Sequence, residues 1–121
     1  MNKKVYDCVH SIIDIHAYIS EAREEMDELI KLKKLGKKEA YKEFKRRSMW
    51  LADVSCRHAH NAFGVYECVP ESFYKMVCGN SDKIIDAITK NKKLDEAKKL
   101  AIDVEKASIN EFVKRIKTWK Y

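Results

Sequence analysis

Glycine and proline are scarce in this chain: three Gly and one Pro in 121 residues, where average usage is about 7% and about 5%. Few breakers means long uninterrupted elements, and collagen-like or low-complexity chains are excluded. No apolar run approaches the ~20 residues of a membrane span. The opening MNKKVYDC holds two lysines and no apolar h-region, so no export is expected. Cys8, Cys56, Cys68 and Cys78 form no CxxC pair; without a secretory signal they read as reduced thiols in a cytoplasmic protein. A Gly-rich phosphate loop and a Ser/His/Asp order are also missing. These gaps remove the commonest enzyme signatures.

What is present is helical patterning over one domain spanning residues 1–121. The hydrophobic share of 45% suits a folded globule despite 36% charged residues. Met1, Val5, Cys8, Ile12, Ile15, Ile19, Ala22, Met26 and Leu29 advance by fours and threes, an a/d-type seam that wants a partner helix. Gly36 is the natural residue to end that helix. A second long helix is expected from Lys37 to Phe63, with Ala40, Phe44, Leu51, Ala52, Ser55, Cys56, Ala59, Ala62 and Phe63 inward. The short connection makes the two antiparallel neighbours. Pro70 suits the first position of a third helix over PESFYKMVC. GNS (79–81) reads as a break, with Asn80 or Ser81 capping a short helix over DKIIDAIT. A last helix runs from Leu94 or Asp95 to about Trp119. The fold expected is all-α, a bundle of four to five helices built on a long hairpin of the first two. The length of the first seam also makes a homodimer through that helix plausible.

Charge is uneven. The net charge is +6, and residues 31–47 carry nine Lys or Arg against two Glu, while residues 21–28 hold five acids and one Arg. Lys42, Lys45, Arg46 and Arg47, with Arg57 further along, form a basic patch suited to an acidic protein surface, nucleic acid or nucleotide. The plainer alternative is a solvated hairpin tip kept soluble by lysines.

The stretch WLADVSCRHAH (50–60) crowds a thiol, two imidazoles and a carboxylate into three turns. On a helix Cys56 and His60 share a face while His58 points away. A zinc site needs three or four converging ligands, for which Cys8, His10 or His16 would have to join, and the core-thiol reading is preferred. The Arg-x4-His spacing of HEPN-type RNases is not met, since His58 and His60 follow Arg57 too closely. Trp50, Asp53, Arg57 and His60 lie along one line, with Asp53 and Arg57 spaced to pair.

The run Glu25-Met-Asp-Glu28, a Lys-rich turn, WLADV and then ESFYKMVCGNSDKI resembles the all-α NTP pyrophosphohydrolases of the MazG-like and dimeric dUTPase-like group, over about residues 18–85. The resemblance implies Mg²⁺ held by Glu25, Glu28 and Asp53, with Asn80 and Lys83 at the nucleotide. The first acid of that group's ExxD motif falls on Trp50, and Arg57 stands one turn after Asp53. Indole supplies no oxygen ligand and guanidinium competes for Asp53, so the resemblance implies a scaffold with weakened or lost catalysis, on which Trp50 stacks against a base or fills the emptied site. The sequence therefore leans towards a non-catalytic helical binding protein with no cofactor, using its basic hairpin. The alternatives are a Mg²⁺-dependent NTP pyrophosphohydrolase and a structural subunit of a larger assembly.

Overall fold

The computed structural model describes residues 3–117 and contains four α-helices with no strand among them: α1 Lys3–Lys34, α2 Lys38–His60, α3 Glu71–Lys90 and α4 Leu94–Lys117. Met1 and Trp119 of the expected seams lie outside the described residues. Each helix packs on its neighbour in sequence, and α4 closes back on α1.

The seam of α1 is the core. Cys8, Ile12, Ile15, Ile19, Ala22, Met26 and Leu29 are at most 1% exposed, so the chain's own helices bury the stripe and no second copy is needed to cover it. Each large side chain so buried contributes about 1.5–3 kcal/mol. α2 and α4 each pack on α1 and present small buried residues: Ala52, Ser55 and Ala59 from α2, and Ala97, Ala101 and Ser108 from α4. The buried serines satisfy themselves locally, Ser55 Oγ donating to the Leu51 carbonyl at 2.9 Å and Ser108 Oγ to that of Glu105 at 2.9 Å.

The helix ends follow local chemistry. Gly36, at φ +69°, closes α1 with Lys37 N–H donating to Leu32 O at 3.0 Å and Gly36 N–H to Lys33 O at 3.1 Å, the paired bonds of a Schellman motif. α2 stops short of the expected Phe63: after His60 the chain widens into one π-helical turn, Asn61–Val65, with Tyr66 N–H reaching Asn61 O at 2.9 Å. Pro70 stands just before α3, in extended conformation, rather than inside its first turn.

Two expectations are corrected. The first is the break at Gly79-Asn80-Ser81, where α3 instead runs unbroken through all three residues. Packing overrides local propensity there: Val77, Ser81 and Ile84 are fully buried, and the Asn80 amide donates to Leu100 O on α4 at 3.1 Å. The second is the reduced state of the cysteines. All four are paired, Cys8 with Cys68 and Cys56 with Cys78, at Cα separations of 6.2 and 4.7 Å, within the span a disulfide bridges. Helix packing brings these residues together across 60 and 22 positions of sequence, which a spacing rule does not see. By loop-closure entropy the pairs stabilise the fold by about 4 and about 3 kcal/mol.

The uninterrupted α3 has a direct check. A Cβ built on Gly79 meets nothing within 4 Å, so Gly79→Ala is expected to raise the urea midpoint, adding about 0.5–1 kcal/mol. A lowered midpoint would mean that the helix does break there.

Candidate functional site

The hairpin tip is where charge gathers. The Gly36 turn sends α2 back beside α1 and leaves Lys33, Lys37, Lys38, Lys42 and Lys45 around one open cleft of about 430 Å³. Leu32, Tyr41 and Asn91 complete its lining, and no carboxylate contributes. Lys33 Nζ donates to Asn91 O at 2.7 Å, tying the tip to the end of α3. Lys42 reaches only Glu39, 3.6 Å away on an exposed flank, a contact of little strength in water. At the base of the cleft the buried Tyr41 hydroxyl donates to Ile88 O at 3.4 Å, and burial pushes the phenol above its ordinary value of 10.0.

Two of the three arginines of the expected patch, Arg47 and Arg57, are occupied. Arg47 spans the α1–α2 interface, donating to Glu21 and lying 3.0 Å from Glu25. The Glu21 carboxylate foremost, then Glu25, hold its guanidinium above its ordinary range. Arg57 pairs with Asp53 at 2.8 Å, one turn away. Of the expected patch, Lys42 and Lys45 line the cleft, and Arg46 is exposed on the same helix beyond it. Lys33, Lys37 and Lys38 were missed. Their positions in the basic run gave a signal, but only the geometry of the turn shows that they converge.

The expected metal set is dispersed. Glu25 Oε1 is held by Arg47, while its Oε2 is buried without a hydrogen-bond partner. Glu28 is exposed, and Asp53 is spent on Arg57. Asn80 faces α4 through its bond to Leu100. Lys83 borders a separate mixed-charge cleft of about 640 Å³ between α3 and α4, beside Asp82, Asp86 and Glu96. Trp50 is 53% exposed, its ring edge-on to Tyr18 at 5.9 Å, and Tyr18 in turn stacks on His58 at 5.5 Å.

Among the described residues, ligand atoms of three Cys, His, Asp or Glu side chains converge only at Cys56, His60 and Cys78, all within 4.8 Å of one another. Cys56 and His60 were legible as an i, i+4 pair; Cys78 arrives from α3 and could not be. The other candidates are engaged elsewhere. Cys8 pairs with Cys68, His16 Nδ1 lies 3.1 Å from Ser108 Oγ, and the His10 ring packs on Tyr6 at 4.4 Å.

Set against protein families, curated proteins and solved structures, the chain matches none.

Tyr41 makes the cleft sensitive to alkali. The folded phenol titrates above the unfolded one, so above pH 10.0 the unfolded chain loses this proton first and native stability falls. Below pH 10.0 the contribution is fully present. Urea midpoints measured from neutral pH upward should decline through that region, and the decline should shrink in Tyr41→Phe.

Proposed function

We propose that the protein is a binding module whose lysine-lined hairpin tip takes a phosphate-rich partner. The observation that carries this reading is the cleft itself, with five lysines and no lining acid. Like-charged ammonium groups held around one concavity repel each other, and an anion that enters relieves the repulsion while releasing counterions. Part of the acid flank of α1 is engaged away from the tip, Glu21 and Glu25 by Arg47 and Asp27 by Lys98.

A MazG-like NTP pyrophosphohydrolase is the second reading. One observation favours it: the buried Glu25 Oε2, without a hydrogen-bond partner, would be satisfied by a Mg²⁺ ion. Against it stand the ion pairs that occupy Glu25 and Asp53. The cytoplasmic location expected from free thiols loses its basis once all four cysteines are paired, and two disulfides fit an oxidising compartment better. No helix among the described residues is long and apolar enough to cross a membrane.

Two measurements test these readings. Fluorescence anisotropy with a labelled single-stranded oligonucleotide should show binding that weakens steeply as salt rises, and Lys37→Glu, Lys42→Glu and Lys45→Glu combined should cost about tenfold or more. Binding that ignores both salt and the triple reversal would refute the tip as the binding surface. Incubation with Mg²⁺ and a panel of nucleoside triphosphates should release no pyrophosphate; release that Glu25→Gln abolishes would put the second reading first.

A further inference from the structure

The chemistry that the lysine tip leaves unexplained lies where α2 meets α3. Cys56 and His60 stand one turn apart on α2, and Cys78 faces them from α3, so two sulfurs and an imidazole nitrogen converge within 4.8 Å. The helices hold this geometry, with Cα atoms of the two cysteines 4.7 Å apart. Both cysteines are only half-buried and His60 is exposed, so the group is open to solvent. Tyr74 supports the imidazole: its hydroxyl lies 3.4 Å from His60 Nε2, its ring meets the imidazole edge-on at 4.6 Å, and it is itself stacked on Phe63 at 5.0 Å. A ligating histidine is usually oriented in this way by a partner on its other ring nitrogen. In the tautomer that carries its proton on Nε2, the imidazole donates to the Tyr74 oxygen and Nδ1 keeps its lone pair for a cation. The Cys8–Cys68 pair has no histidine in a comparable group among the described residues.

We propose that Cys56, Cys78 and His60 form a redox-gated site for a borderline-soft divalent cation of the zinc class. When oxidised, the two sulfurs are bonded to each other and no thiolate is offered. A dithiol reductant opens the pair: it supplies two electrons and two protons, the Cys56–Cys78 S–S bond breaks, two thiols form and the reductant leaves as its own disulfide. The cation then displaces both thiol protons to solvent and is held by two thiolates and the imidazole, with a fourth position open to water. Zinc–sulfur and zinc–nitrogen bonds of about 2.3 and about 2.0 Å in a tetrahedron set ligand atoms about 3.5–4 Å apart, so a group already gathered within 4.8 Å needs side-chain rotation rather than refolding. The site is independent of the lysine tip, since Cys56 lies about 20 Å along α2 from Lys42 at 1.5 Å per residue.

The experiment uses the full chain without an affinity tag, reduced by a phosphine under anaerobic conditions and titrated with Co²⁺ as a spectroscopic substitute for Zn²⁺. The reduced protein should take up one equivalent with a thiolate-to-cobalt charge-transfer band, and the oxidised protein should show none. His60→Ala, on an exposed position, should weaken uptake about tenfold or more, and Cys78→Ser should abolish the band. The proposal is overturned if the reduced wild type stays helical by circular dichroism yet gives no band. It is overturned equally if the band is unchanged in His60→Ala or Cys78→Ser, or if the reduced chain loses its helical signal even with cobalt present.

Discussion

Everything in this bundle hangs on the stripe of α1. Seven of its side chains are sealed from water, and they lie on one line because each step of four or three residues returns to the same side of the helix. A single helix cannot bury such a stripe. Two must close on it, and α2 and α4 do so because alanine and serine at their inner positions let the backbones approach. α3 then fills the remaining side, covering α2 and α4 with Phe73, Val77, Ile84 and Ile88. The small residues of α2 and α4 are thus as necessary as the large ones of α1.

The closure also decides where charge can go. Polar residues flanking the stripe meet across each helix pair, and the pairing is specific: Arg47 with Glu21 and Glu25 between α1 and α2, Arg23 with Glu105 and Lys98 with Asp27 between α1 and α4. Surface pairs of this kind add little stability individually. Their larger effect here is to hold Glu21, Glu25 and Asp27 at the helix interfaces. Five lysines with no lining carboxylate remain gathered around the cleft at the tip. The acid-rich run lies along α1, whereas the base-rich run that follows it straddles the Gly36 turn and so supplies lysines to the cleft from both helices.

Helix periodicity and the glycine turn made the all-α class, the α1–α2 hairpin and the inward faces of both helices legible from sequence, since each depends on contacts a few residues apart. Asp53 pairing with Arg57 was legible for the same reason. The continuity of α3 was not, because Gly79, Asn80 and Ser81 each favour a break locally, and only the contact with α4 reverses that preference. The cysteine pairs escaped for a stronger reason: Cys8 and Cys68 are 60 residues apart, with the α1–α2 hairpin and the π-helical turn between them, so no local pattern links them. Convergence of the lysines and the arrival of Cys78 beside His60 are likewise products of packing between helices.

The two ends of the molecule are consequently held by different physics. The end that carries the start of α1 and the close of α2 is stapled covalently by Cys8–Cys68 and by Cys56–Cys78. The opposite end, with its five lysines, is held by the Gly36 turn, the Lys33–Asn91 bond and the Tyr41–Ile88 bond. Electrostatic repulsion works against order at the tip, whereas the cross-links restrict the unfolded chain and secure the far end whatever the salt concentration. Reduction acts on the stapled end, and salt or a bound anion acts on the tip. α1, α2 and α3 each run from the stapled end to the tip, so the core that packs them together is what joins the two ends.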